Sequence, residues 1–139
     1  MHPAWSIIFF TSASGLGLGL AAWVVLGLID IGNVINFLIV SVFTFGLIGS
    51  GLLSSTLHLG HPERAWRALS QWRSSWLSRE GVLAVLVLSL LAVWFGWNYL
   101  IGSVPFLLGL PLVFLIAVTV YATSMIYASL KTVACWHHP

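Results

Sequence analysis

Charge is what this sequence has least of. Of 139 residues only 6% are Asp, Glu, Lys or Arg, where an ordinary soluble domain carries about 25%. The hydrophobic fraction is 60%, with eight Trp and eight Phe. So few polar groups cannot cover the surface of a soluble fold of this size. Disorder is excluded by the same figures, because disordered segments are poor in aromatic and aliphatic residues. A single cysteine, Cys135, rules out a disulfide framework. It equally rules out an iron–sulfur cluster or a thiolate zinc site held by this chain alone. A net charge of +2 gives no electrostatic footprint for nucleic acid. These absences leave an integral membrane protein.

Four stretches are long and apolar enough to cross a hydrocarbon core, which takes ~20 residues in a helix. They run over about 5–28, 34–57, 81–100 and 104–130. None alternates with period two, so they read as helices rather than barrel strands. The first is not read as a cleaved signal peptide, because no Lys or Arg precedes it and its apolar run is too long. Asp30-Ile31-Gly32-Asn33 joins the first pair, and a short turn between Asn98 and Pro105 joins the second. Short connections make sequential helices antiparallel. The expected fold is an all-α, up-down-up-down bundle of four transmembrane helices, a single membrane domain over 1–139, with one long loop, 58–80.

Basic residues are as unevenly placed as they are few. Arg64, Arg67, Arg73 and Arg79 lie in the long loop and Lys131 follows the fourth helix, whereas the two short turns hold none. The positive-inside rule puts the long loop on the cytoplasmic side. Arg67 and Arg73 are also candidates for docking a cytoplasmic partner. Small residues recur within the helices: Thr11, Gly15 and Gly19 at spacing four in the first, with Gly17 and Ser14 nearby, and Gly46, Gly49, Ser50, Gly51, Ser54 and Ser55 in the second. Such spacing lets helix backbones approach closely in lipid. It would equally leave room for a flat apolar ligand. Pro105 marks the start of the fourth helix, and Pro111 is expected to kink it or loosen its first turn.

Ionisable groups are absent from the middle of every helix, which argues against a proton-driven transporter. The missing histidines argue against a b-type cytochrome, which needs axial ligands inside the bundle. Cys135, His137 and His138 lie too close in sequence to converge on one metal ion. What remains clusters at one membrane face: His58, His61, Glu63, Arg64 and Glu80. Locally, His58 sits in the last turn of the second helix, and Gly60 and Pro62 stop it. Glu80 opens the third helix, where an acid favours the dipole.

The same run carries a more specific pattern. Leu57-His58-Leu59-Gly60-His61-Pro62-Glu63-Arg64-Ala65-Trp66, followed by Ser75-Trp76-Leu77-Ser78-Arg79-Glu80, resembles the membrane anchor subunit of dimethyl sulfoxide reductase, the DmsC family. The opening Met1-His2-Pro3-Ala4-Trp5-Ser6-Ile7-Ile8-Phe9-Phe10-Thr11 looks like anchors of the related cytoplasmic sulfite dehydrogenases. The close, Met125-Ile126-Tyr127-Ala128-Ser129-Leu130 with Trp136-His137-His138-Pro139, is similar to the end of the family's fourth helix. The likeness spans the whole chain. Members of that family carry roughly twice as many helices, so the chain looks like an N-terminal half.

The resemblance implies a non-catalytic anchor in the bacterial cytoplasmic membrane. Such an anchor holds an iron–sulfur electron-transfer subunit and a molybdopterin catalytic subunit. It exchanges electrons with menaquinone or ubiquinone and carries no haem or cluster itself. The opening residues favour the sulfur-oxidising type over the reductase. Two other readings stay open: a small four-helix transporter, and a structural half-subunit without a quinone site. Coding sequences for a molybdopterin oxidoreductase and a ferredoxin-like protein beside this one would decide the class.

On the anchor reading, the quinone site is expected around His58 and Glu80. Quinol oxidation releases two electrons and two protons, so the site needs a hydrogen-bonding group for the hydroxyl and a proton acceptor leading to water. Histidine suits the first task because it titrates near neutrality. A carboxylate partly shielded at a helix start suits the second. Arg64 would orient Glu80 or a quinone carbonyl, with Trp66 or Trp76 lining the ring.

Overall fold

The computed structural model describes residues 5–57 and 70–129, with side chains over 8–55 and 70–129. Four helices fill them: α1 Trp5–Val25, α2 Val34–Leu57, α3 Trp76–Ile101 and α4 Phe106–Ala128. Each is long and apolar enough to cross a membrane. No strand occurs among the described residues. At 1.5 Å rise per residue the helices measure between about 31 and 39 Å, enough for a hydrocarbon core.

Local chemistry fixes the helix ends, and in two places moves them from where hydropathy puts them. α1 stops at Val25 rather than Leu28 because Gly27 adopts a left-handed φ of 72°. Its N–H donates to the Val24 carbonyl, and the Leu28 N–H reaches back to Trp23 at 3.0 Å. This paired return of N–H groups satisfies carbonyls that the helix end would orphan. Asn33 then caps α2, its Oδ1 accepting from the Ile35 N–H at 2.7 Å. Gly102, at φ 83°, closes α3 with its N–H on Asn98. α3 begins at Trp76, five residues before the expected position. Ser75 is its N-cap, with Oγ accepting from the Ser78 N–H, so Trp-Leu-Ser-Arg-Glu belongs to the helix and not to the loop. α4 starts after Pro105 and continues through Pro111 as one element.

Within the bundle α1 packs along α2 and α4, α3 packs on α4, and α2 touches α3 at few positions. Leu18, Val24, Ile48, Val87, Leu91 and Ile116 form the buried centre. The thin α2–α3 seam is bridged by rings. Phe95 meets Phe37 at 5.6 Å and Phe45 at 5.7 Å between centroids.

Glycine makes three of the helix contacts close. A Cβ at Gly17 would lie 2.6 Å from the Ile48 Cγ1 and 2.8 Å from its backbone nitrogen. One at Gly51 would lie 2.9 Å from both Cβ and N of Ser14, and one at Gly109 would lie 2.8 Å from Val25. Gly15, Gly19, Gly46 and Gly49 have no described atom within 4 Å of that position. The spacing-four stripe of α1 is therefore not its packing seam. Gly17, two positions along, is.

Candidate functional site

The ends of α1 and α3 where they begin, and those of α2 and α4 where they finish, share one end of the bundle. Glu80 lies there, in the second turn of α3, only 4% exposed. As the fifth helical residue it is past the first-turn N–H groups that an acid would cap. The helix-opening role expected for it does not hold, because the helix starts a turn earlier. Its side chain instead enters the bundle and meets α4. The Thr123 hydroxyl donates to Glu80 Oε1 at 2.5 Å and has a second acceptor, the Thr119 carbonyl, at 3.2 Å. One turn further along, the Tyr127 hydroxyl is hydrogen-bonded to the Thr11 side chain of α1 and stands in the field of the Glu80 carboxylate. Thr11 in turn donates to the Ile8 carbonyl at 3.1 Å. Three helices thus contribute to one polar layer: Glu80 from α3, Thr123 and Tyr127 from α4, and Thr11 from α1.

Arg79, the neighbour of Glu80, points elsewhere. Its Nε donates to the Trp72 carbonyl and its Nη2 to the Arg73 carbonyl, both at 2.9 Å. Its guanidinium lies 4.4 Å from the centre of the Trp76 ring. The residues preceding α3 are therefore tied back onto its first turn. Trp76 also packs edge-on against Tyr121 at 6.2 Å, so among the described residues its ring neighbours are an arginine and a tyrosine. Among the described residues no cation pairs with Glu80.

Of the residues singled out from the sequence, Glu80 is placed at this site, and Arg73 is exposed in the segment before α3. His58, Arg64 and Arg67 lie outside the described residues, as do His61, Glu63 and Trp66. No cluster of His, Cys, Asp and Glu suited to a metal ion occurs among the described residues; Cys135, His137 and His138 fall outside them. Sequence reasoning did not single out Thr123 and Tyr127. Their signal was present: Thr119, Thr123 and Tyr127 recur every four residues on a mostly apolar helix.

Two cavities lie away from this layer. One of about 680 Å³ sits at the opposite end, between the turn holding Asp30 and the turn following Asn98. Another, of about 410 Å³, opens between α2 and α3 beside Phe37, Phe45 and Tyr99.

The family described as DMSO reductase anchor subunit (DmsC) matches the chain over residues 1–139. The chain belongs to that family. A curated protein of similar sequence is one of the subunits of the sulfite dehydrogenase of Allochromatium vinosum. It is 37% identical over 161 aligned positions, which take in 100% of this chain and 49% of the relative. The chain thus spans about half the length of the curated relative it matches, in keeping with the likeness to one half of a DmsC anchor. No solved structure matches the chain. DmsC membership accounts for the composition: an anchor consists chiefly of apolar helices, and its polar residues can be few.

Proposed function

We propose that this chain serves in a membrane anchor that exchanges electrons between an iron–sulfur protein and the quinone pool, while a molybdopterin protein performs the substrate chemistry. Family membership supports the anchor. The relative's name favours the sulfite dehydrogenase type, in which electrons pass from the catalytic side to quinone. Arg67 and Arg73 would face the iron–sulfur partner on the cytoplasmic side.

A single observation supports the quinone-reacting part: a buried carboxylate, Glu80, held by a hydroxyl at one end of an apolar bundle. Reduction of a quinone takes two electrons and two protons, and the protons must come from groups within reach of the bilayer edge. Glu80 can give up and regain a proton there. His58, which follows α2 directly in sequence, would hydrogen-bond the quinone oxygen, and Arg64 would orient it. In the reverse direction the same groups receive the protons of quinol.

Membranes bearing the assembled complex test this reading. His58→Ala and Glu80→Gln should each abolish quinone-linked turnover while activity with an artificial soluble electron carrier survives. Normal quinone-linked rates in both variants, with the complex intact, would sink the site and leave Glu80 as a helix–helix tie.

A further inference from the structure

Burying a carboxyl group creates a hydrogen-bonding problem that changes with its proton. Ionised, it only accepts; protonated, it also donates. A partner that can only donate, such as a lysine or a backbone N–H, serves the first form and not the second. Whichever polar group is left unmatched in a buried setting is costly. A group that carries protons inside a bundle therefore needs a partner able to reverse its role.

Thr123 has that property in this structure. Its hydroxyl has one hydrogen and two lone pairs. One acceptor within reach is Glu80 Oε1 at 2.5 Å, and the other is the Thr119 carbonyl at 3.2 Å, one turn back along α4. With Glu80 ionised, the Thr123 O–H points to Oε1. With Glu80 protonated, the O–H turns to the Thr119 carbonyl, and Thr123 Oγ accepts from the acid. Both arrangements keep the Thr123–Glu80 hydrogen bond, and beyond the carboxyl proton itself they differ by rotation of the Thr123 hydroxyl. The Thr119 hydroxyl does not compete, because it is committed to the Leu115 carbonyl at 2.8 Å.

No other described group performs this task. Arg79 is engaged by the Trp72 and Arg73 carbonyls. Tyr127, the titratable neighbour on α4, is engaged with Thr11 of α1. Neither α1 nor α2 brings an acid, lysine, arginine or histidine to this layer within its described residues.

We propose that Thr123 is a positioning residue that keeps the Glu80 carboxyl hydrogen-bonded in both protonation states, and so lets it pass a proton to or from the quinone. The proposal rests on the quinone-reacting reading of Glu80. It does not require Thr123 to touch the quinone.

The test uses the assembled complex in membranes, normalised to its activity with a soluble artificial carrier. Thr123→Val keeps the shape and removes the hydroxyl, whereas Thr123→Ser keeps the hydroxyl. Thr123→Val should lower quinone-linked kcat by about tenfold or more, the weight of one hydrogen bond to a charged group. KM for the quinone should stay near that of the parent, and the pH profile of kcat should move. Thr123→Ser should restore both. A merely structural role predicts less assembled complex but unchanged kcat and pH profile per complex, and that result overturns the proposal. So does a Thr123→Ser variant as impaired as Thr123→Val. If Thr123→Val does not assemble, redox-difference infrared spectra of Thr123→Ala decide. A carboxyl C=O band that vanishes in Glu80→Gln should shift in Thr123→Ala, and an unmoved band overturns the proposal. Glu80→Gln distinguishes the two roles. Normal turnover in Glu80→Gln removes the quinone-reacting role of Glu80 on which the proposal rests, whereas loss there with Thr123→Val unaffected removes only the role of Thr123.

Discussion

Replacing single glycines by alanine should divide the glycines of α1 and α2 into two classes that their spacing does not distinguish. At Gly51 the new methyl would sit 2.9 Å from Ser14 Cβ and N and 3.2 Å from the Phe10 carbonyl. Ordinary contact between carbon atoms is about 3.5–4.0 Å, and two of the three obstructing atoms are backbone. No rotamer change relieves that, so α1 and α2 must separate locally by roughly half an ångström or more. A radial gap of that size forfeits about a quarter to a half of each dispersion contact along the seam. Overpacking of this kind costs about 1–3 kcal/mol. Gly17 behaves alike, since the Ile48 side chain can move but its backbone nitrogen, 2.8 Å away, cannot.

Gly15 and Gly19 meet no described atom within 4 Å. Alanine there takes only the gain in helix propensity, about 0.8–1.0 kcal/mol in water. The propensity gain is common to all four substitutions, since each glycine lies inside a helix, so the expected separation between the two classes is the overpacking cost, about 1–3 kcal/mol. Reversible unfolding of the chain in mixed micelles, titrated with a denaturing detergent and followed by circular dichroism, measures it. Gly17→Ala and Gly51→Ala should shift the midpoint downward; Gly15→Ala and Gly19→Ala should leave it unchanged or raise it. Equal midpoints for all four would refute the assignment of Gly17 and Gly51 to the α1–α2 seam.

Beyond the quinone site and Thr123, the segment before α3 is open to two experiments. A cysteine placed at Gln71, on a background lacking Cys135, should react with an impermeant reagent only in opened cells, as expected if the basic residues face the cytoplasm; labelling in intact cells would reverse the orientation. Arg67→Glu together with Arg73→Glu should leave the anchor inserted but weaken retention of the iron–sulfur partner, because like-charge contacts across an interface cost several kcal/mol. Lost topology, rather than a correctly inserted anchor that has lost its partner, would instead assign these arginines to orientation alone.

The helices were legible because hydropathy and turn chemistry agree: Asn33 caps α2 and Gly102 closes α3 close to where the apolar runs change. Gly27 marks the end of α1, because its left-handed closure outweighs the apolar Leu28 beyond it. Ser75 similarly outweighs the charged Arg79-Glu80 pair as a marker of where α3 begins. The inward faces were much less legible. In water a helix advertises its outer face with charge, but in lipid the outer face is as apolar as the core. Hence Gly15 and Gly19, whose regular spacing suggests a seam, face away from α2, while Gly17 carries the contact. The pairing of Glu80 with Thr123 joins residues 43 apart in sequence. Nothing in the spacing of either helix sets their relative rotation.

The early start of α3 alters what Glu80 can be for. At the helix opening it would interact with free N–H groups and the dipole, an effect of about 0.3–1 kcal/mol that fades within the first turn. As the fifth residue, beyond those N–H groups, it gains little from either. What it makes instead is a hydrogen bond between helices, and in membranes such bonds contribute only about 0.6–2 kcal/mol. A serine or glutamine could tie α3 to Thr123 without the cost of desolvating a carboxylate, which exceeds that of a neutral polar group. Structure alone therefore gives a weak reason for an acid at this position. Proton transfer gives a strong one, because a carboxyl is the group that can hold the same partner with or without its proton.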